Sequence, residues 1–136
     1  MSENKSYTKK QVIDLIKRRK SLEGLDLRGL DLSGVCFDGA NLQYAKMAEC
    51  NLNSATFVGT NLKGTSLWRS DCKNATFDKA MMEDADLDYS NLDGCTFKDA
   101  RLRKAIFPVA RLPLESIKKS VRTGCRVRMS RAYGAD

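Results

Sequence analysis

Five cysteines are the residues of this chain best suited to nucleophilic or metal chemistry, and their spacing argues against both. They are Cys36, Cys50, Cys72, Cys95 and Cys125. No two of them form a CxxC pair, and the chain has no histidine to serve as a general base or a metal ligand. We interpret Cys50, Cys72 and Cys95 as small buried apolar residues of a protein in a reducing compartment.

Other catalytic motifs are missing from the sequence as well. It contains no glycine-rich phosphate loop and no nucleophile elbow, so acid–base work would fall to carboxylates or lysines on the surface. We therefore expect no enzyme, no catalytic residue, no metal and no cofactor.

Four of the five cysteines, all except Cys125, belong to a repeat of five residues that runs from Leu25 to Leu114. Its blocks keep one register, with a small or aliphatic first residue and Leu, Phe or Met in third place, except at Cys72. On a helix, five residues advance the chain by about 500°, and on a strand an odd spacing places successive residues on opposite faces. Neither element would therefore gather the third residues on one side. The spacing fits a chain that turns a corner in every block and winds around its own side chains as a solenoid.

A second period of 20 residues predicts how many blocks make one coil. It is marked by four phenylalanines at third positions: Phe37, Phe57, Phe77 and Phe97. Thr56, Thr76 and Thr96 repeat at the same spacing. A coil of four blocks would stack these side chains in columns, where neighbouring rings and threonines form favourable cross-strand pairs.

Several blocks resemble the A(D/N)LXX pattern of the pentapeptide-repeat family: ANLQY, CNLNS, TNLKG, ADLDY and SNLDG. The resemblance implies an all-β fold, a right-handed quadrilateral parallel β-helix (a solenoid) of about 4.5 coils. By this likeness the first and third residues point inward and the others face solvent. It also brings two expectations about partners: some relatives mimic duplex DNA and bind the topoisomerase DNA gyrase, and some dimerise through a C-terminal cap.

The flanking segments predict a cap at each end of the repeat. Residues 1–24 would hold a capping helix within 6–20, started by Ser6 or Thr8, and a join. Residues 25–114 are the β-helix, and residues 115–136 are a second capping helix with a basic tail that is loosely held or ordered by a partner. The first ten residues lack the apolar segment of a signal peptide, and we expect a cytoplasmic protein.

The net charge of +7 is concentrated at the two ends. Residues 1–20 carry seven basic and two acidic groups, whereas residues 21–112 carry 11 basic and 13 acidic groups, six of the acidic ones within 81–99. Basic ends predict contacts with an anionic partner, nucleic acid or a membrane surface. The candidate contacts are Lys17, Arg18, Arg19, Arg126, Arg128 and Arg131. The acidic residues within 81–99 are the only feature that favours a topoisomerase-binding DNA mimic.

Exposed aromatic residues predict a surface for a protein partner. Trp68 and Tyr89 would lie one coil apart on one face, one register position off, flanked by Arg69 and Asp88, with Tyr44 on a neighbouring face. Tyrosine and tryptophan are typical anchors of protein interfaces. The function that the sequence favours is thus a non-catalytic interaction module or scaffold subunit.

Overall fold

The computed structural model describes residues 6–108 and 127–129. One helix, α1 (Lys9–Lys17), precedes the repeat. Thr8 caps it, because its hydroxyl oxygen accepts a hydrogen bond from the amide of Gln11 at 3.1 Å while Gln11 Oε1 accepts one from the amide of Thr8 at 2.9 Å. This reciprocal capping box stabilises a helix by about 1 kcal/mol. The sequence prediction of Thr8 as a cap is confirmed, and the helix is shorter than the predicted range of 6–20.

One side of α1 covers the start of the coiled region. Val12 is fully buried, and Ile13, Leu15 and Ile16 pack partly buried against the same core. At the beginning of the helix, Lys9 Nζ lies 3.4 Å from Ser33 Oγ. The helix therefore closes the apolar end of the core, as expected for an N-terminal cap of a repeat array.

Residues 20 apart pair in parallel along the repeat, from the bridge Asp26–Lys46 to the bridge Asp86–Ile106. The hydrogen bonds follow one rule, in which the amide of Leu27 donates to Lys46 O and the amide of Lys46 donates to Leu25 O, both at 2.8 Å. The chain thus returns above itself after four blocks, as the 20-residue period predicted.

The blocks fall into four columns, A to D, named here by their third residues. Column A holds Leu27, Met47, Leu67, Leu87 and Phe107; column B holds Leu32, Leu52, Cys72 and Leu92; column C holds Phe37, Phe57, Phe77 and Phe97; column D holds Leu22, Leu42, Leu62, Met82 and Leu102.

The third residues of all four columns form the core, with exposures of 0–1%. The rings of column C stack nearly parallel, with centroids 5.0, 4.8 and 5.0 Å apart and interplanar angles of 3–5°. Phe107 meets Phe97 edge to face at 5.4 Å. The predicted phenylalanine column is therefore confirmed, and its rings line the inside of the coil.

The fifth residue of each block up to residue 104 forms the corner, and its φ angle is positive in all of these blocks. The amide of the following residue closes the turn onto the carbonyl of the third residue, as from Ala40 N to Phe37 O at 2.9 Å. A positive φ at the third of four turn residues is typical of a type II turn, which favours glycine. Seven corners carry glycine, whereas residues such as Lys79 and Tyr89 occupy the same conformation at a steric cost.

The two ends of the coil differ from the sequence expectations in detail. The amides of Leu22 and Gly24 already donate to Asn41 O and Gln43 O, so the segment treated as a join pairs like a regular block. At the other end, β1 (Ala105–Phe107) pairs in parallel with β2 (Val127–Met129). The expectation of a loosely held tail is wrong for these three residues, because their backbone continues the ladder above column A. The predicted C-terminal helix lies outside the described residues.

Candidate functional site

Trp68 and Tyr89 lie in contact on the outer side of column A. The ladder pairs their blocks, since the amide of Arg69 donates to Asp88 O at 3.0 Å. Trp68 is the fourth residue of its block and Tyr89 is the fifth residue of the block one coil later, so each side chain leaves the backbone beside the other. Their ring centroids are 6.0 Å apart with an interplanar angle of 73°, an edge-to-face arrangement that aromatic pairs favour. The offset of one register position between Trp68 and Tyr89, already visible in the sequence, thus does not keep the two rings apart.

Arg69 and Asp88 complete this aromatic pair as the sequence placed them. The guanidinium carbon of Arg69 lies 5.3 Å from the Trp68 ring centroid, within range of a cation–π contact. Asp88 Oδ1 accepts a hydrogen bond from the amide of Tyr89 at 2.9 Å, and the amide of Asp88 donates to Asp86 Oδ1 at 2.9 Å. These bonds fix the backbone on which Tyr89 stands. Tyr89 is 41% exposed, whereas Trp68, expected to be exposed, is half-buried, so the pair is ordered and reaches solvent in part.

Tyr44 stands at the corner between columns D and A and is 53% exposed. Its ring covers Gly64 one coil later, where an added Cβ would lie 2.5 Å from two ring carbons. The ring therefore reaches the level of the coil that carries Trp68. The sequence placed Tyr44 on a neighbouring face, and the structure puts it at the edge that this face shares with column A.

The acidic residues of 81–99 are spread around the coil. Glu83 and Asp84 follow column D, Asp86 and Asp88 lie on column A, and Asp93 and Asp99 lie on columns B and C. Within 6–108 the ion pairs are Arg18–Asp14 (3.2 Å) and Arg28–Asp26 (2.7 Å). Asp84, Asp86 and Asp88 thus form no ion pair in the described part of the chain.

The candidate contacts to an anionic partner are scattered. Lys17, Arg18 and Arg19 are exposed at the end of α1, where Arg18 pairs with Asp14. Arg19 lines an open groove of about 500 Å³ between the helix end and residues 38–41. Arg128 contributes its backbone to β2, and Arg126 and Arg131 lie outside the described residues.

The cysteines take the structural places that the repeat gave them. Cys50, Cys72 and Cys95 are buried and Cys36 is exposed, all as free thiols. Burial raises the pKa of Cys50 to about 11 and that of Cys95 to about 12, and it raises the pKa of Cys72 well above its usual range. These thiols are protonated near neutral pH and therefore poor nucleophiles. Among the described residues no group of three or more His, Cys, Asp or Glu side chains is placed to hold a metal ion.

Buried hydroxyls are a feature that the sequence reasoning missed. Thr60, Thr65, Ser70 and Ser90 are first residues of their blocks, with exposures of 0–4%. Each donates to the carbonyl of the third residue 23 positions earlier, at 2.6–2.7 Å. All four are first residues of their blocks, and this shared position in the sequence could have shown that their hydroxyls meet equivalent third-residue carbonyls of the preceding coil.

Comparison with known families agrees with this repeating geometry. The family model for pentapeptide repeats matches the chain in eight copies, over residues 18–43, 36–67, 55–88 and 82–112. The chain belongs to the pentapeptide repeat family. Curated proteins gave no significant match to it.

Solved pentapeptide repeat proteins share its architecture. HetL, involved in heterocyst differentiation regulation in the cyanobacterium Nostoc sp. strain PCC 7120, is 31% identical over 68% of this chain and 43% of its own, with a TM-score of 0.64. A pentapeptide repeat protein of the Arabidopsis thaliana thylakoid lumen is 30% identical over 61% of this chain and 57% of its own, with a TM-score of 0.59. This chain spans about half the length of these two proteins.

A third pentapeptide repeat protein, also from Nostoc PCC 7120, matches over 95% of this chain and 100% of its own with a TM-score of 0.72. At 22% identity this likeness shows the fold alone. Among the described residues of the pentapeptide repeat chain, no helix has both the length and the apolar character to cross a membrane.

Proposed function

We propose that this pentapeptide repeat protein is a non-catalytic, rigid interaction module or scaffold subunit that binds a protein partner through column A. The observation that carries the proposal is the Trp68–Tyr89 pair, in which Tyr89 is exposed and Trp68 is half-buried, held in fixed geometry by the ladder beneath it. Aromatic residues that are ordered before binding lose little conformational entropy when a partner covers them. A protein contact is therefore the use that this surface suits best.

The shape of the coil supports the same proposal. We infer that it is the right-handed, four-sided parallel β-helix that the family resemblance implies. Four columns with a 20-residue repeat, and corners that all share one turn conformation, support this inference. Such a rod holds outward side chains at fixed spacing, which suits a scaffold better than a cleft for catalysis.

A pull-down from native extract tests the proposed function. Trp68→Ala removes the central ring, whereas Val58→Ala shortens a half-buried fourth residue on column C, two columns away. Circular dichroism should show that both variants keep the fold. We expect proteins retained by the wild type and by Val58→Ala to be lost with Trp68→Ala. Equal retention by all three proteins, or turnover of a substrate by the purified protein, would contradict the proposal.

An anionic partner bound by the ends is a second candidate, which the groove beside Arg19 and Lys20 supports. Its binding should weaken steeply with salt, because released counterions dominate such affinities. A flat salt response would remove this candidate. The topoisomerase-binding alternative stays a prediction, and an unchanged supercoiling assay would dismiss it.

Two further parts of the proposal concern the setting of the protein. We propose that it acts in the cytoplasm, which the free thiols of Cys36, Cys50, Cys72 and Cys95 support, since oxidising compartments favour disulfides. A homodimer through the C-terminal cap also stays a prediction, because that cap lies outside the described residues.

A further inference from the structure

We propose that the partner segment bound on column A is extended and cationic, with Arg or Lys side chains at alternate positions. This inference rests on the proposed function and names the chemistry of the partner. Two neighbouring features carry it: an aromatic patch, formed by Tyr44, Trp68 and Tyr89, and a carboxylate row, formed by Asp84, Asp86 and Asp88.

The aromatic patch borders a shallow shelf on column A. The Tyr44 ring covers Gly64 at one edge, and Trp68 stands four residues further along the same coil. At about 3.3 Å per residue of extended chain, these edges are at most roughly 13 Å apart, because the corner at Gly64 shortens the span. Ser66, which lies between them, is small. An extended chain can lie across this shelf between the rings.

The carboxylate row runs along the next coil, directly above the shelf. The ladder pairs Asp86 with Ser66, and the residues between the three carboxylates, Ala85 and Leu87, are fully buried. Asp86 and Asp88 therefore face outward two residues apart, about 6.6 Å in an extended strand, and Asp84 stands at the corner before them. An extended peptide has the same period, so basic side chains at alternate positions can face successive carboxylates.

The charges around the row leave it open to a cation. Lys104 stands one coil beyond Asp84, and Lys46 lies two coils before Asp86 in the same ladder, yet neither forms an ion pair with the row. Arg69 lies over Trp68. The row thus carries three carboxylates, with Lys104 one coil from Asp84 and the Arg69 guanidinium beside Trp68, on a protein whose net charge is +7. The local field favours a cation where the whole molecule repels one.

The contact between Arg69 and Trp68 shows the kind of interaction that this patch supports. A guanidinium already lies 5.3 Å from the indole centroid. Tyr44 is 53% exposed, so its ring offers a further aromatic face to an arginine or lysine. An aromatic face beside a carboxylate binds a cationic side chain through a cation–π contact with the ring and through charge attraction to the carboxylate.

Titration of the full chain with defined peptides tests the inference. The probe is an unstructured peptide of alternating glycine and arginine, and its control is the same peptide with glutamate in place of arginine. Trp68 is the single tryptophan of the protein, so its fluorescence reports on the proposed site directly. The titrations are run at about 0.01 M and about 0.15 M salt, where the Debye lengths are about 30 Å and 8 Å.

A matched pair of variants separates the row from general electrostatics. Asp84→Asn and Asp99→Asn each remove one exposed carboxylate from a corner with nearly the same φ, 61° and 58°. Asparagine tolerates this conformation, so both variants should fold. We expect saturable binding of the arginine peptide, weakened by salt and weakened roughly two- to fivefold by Asp84→Asn but not by Asp99→Asn. Asp88→Asn, which keeps an oxygen for the amide of Tyr89, should weaken binding to a similar degree.

Three outcomes would overturn the inference: no fluorescence change with the arginine peptide, tighter binding of the glutamate peptide, or equal weakening by Asp84→Asn and Asp99→Asn. A native partner that depends on Trp68 but binds equally well to Asp84→Asn and Asp88→Asn would also overturn it, while the proposed function would stand. Loss of the Trp68 dependence itself would contradict the proposed function.

Discussion

Replacing Ser70 by alanine removes the hydroxyl group that closes the corner between Met47 and Cys50. Every other corner from Leu22–Leu25 to Leu102–Ala105 is closed by a direct amide-to-carbonyl bond. At Met47–Cys50 the amide of Cys50 donates to Ser70 Oγ at 3.2 Å, and Ser70 Oγ donates to Met47 O at 2.6 Å. The serine side chain thus stands in for the missing turn bond.

The magnitude follows from the groups that the substitution leaves buried. Met47 and Cys50 are 0% and 2% exposed, so Ser70→Ala leaves an amide and a carbonyl without these partners. A buried group left unsatisfied costs about 1–3 kcal/mol. With partial closure of the corner, we expect the free energy of unfolding to fall by about 2–3 kcal/mol, or the Tm by roughly 6–15 °C.

Ser90→Ala is the matched control for this prediction. Ser90 donates to Leu67 O at 2.6 Å in the same register, but Leu67 O also accepts from the amide of Ser70 at 3.1 Å. Loss of the Ser90 hydroxyl should lower the free energy of unfolding by only about 0.5–1.5 kcal/mol. Ser70→Thr should be close to neutral, because Thr60 and Thr65 are accommodated at equivalent places.

Urea and thermal unfolding, followed by circular dichroism, measure these differences. A cost for Ser70→Ala that equals the cost for Ser90→Ala would refute the reasoning. It would mean that the Met47–Cys50 corner closes on itself once the hydroxyl is gone.

Three further predictions concern the core, the corners and the buried thiols. Phe77→Ala should lower the free energy of unfolding by about 3–5 kcal/mol, since it opens a gap between two stacked rings; urea unfolding checks this, and a loss below about 1 kcal/mol would contradict it. Gly59→Ala and Gly64→Ala share a φ of +66° and should each cost about 1 kcal/mol, but only Gly64→Ala should displace the Tyr44 ring, which a shifted NMR signal of that ring would show. Burial raises the pKa of the Cys50 thiol from 9.0 to about 11, so the stability it contributes is complete below about pH 9 and is lost as the pH rises towards 11. Because of this thiol, the free energy of unfolding should be about 1–2 kcal/mol lower at pH 10.5 than at pH 8, and Cys50→Ala should remove that difference. If the variant loses as much stability as the wild type, the effect does not come from Cys50.

The sequence predicted the path of the chain well because the repeat depends on short-range rules. Residues five apart must all reach the same axis, and the recurrence of Phe37 and Phe57 at a spacing of 20 set the size of the coil. The rings of these residues lie 5.0 Å apart, as a column of that period requires. The capping role of Thr8 was also readable, since it depends on a residue three positions away.

The site could be predicted only in outline. That Trp68 and Tyr89 share a face follows from the period, but their edge-to-face contact depends on rotamers that the period does not set. The reach of Tyr44 over Gly64 likewise depends on the space that a missing side chain leaves one coil away.

Two structural features could not be read from the sequence for a different reason. The pairing of β2 with β1 joins segments that the five-residue pattern does not connect, because the pattern is lost before residue 127. The corner at Met47–Cys50 looks regular in the sequence, but the amide of Cys50 donates to the Ser70 hydroxyl instead of to Met47 O. Both features arise from contacts between coils and not within a block.

Site-specific photocrosslinking tests the central claim most directly, namely that the aromatic surface of column A is where a protein partner binds. A photoreactive residue is placed at Tyr89 in one protein and at Lys79 in another; both are exposed corner residues with φ near 60°, and Lys79 follows column C. Our account predicts that irradiation in native extract gives a discrete protein adduct from position 89 and none from position 79. Equal adducts from both positions, or adducts from position 79 alone, would contradict it.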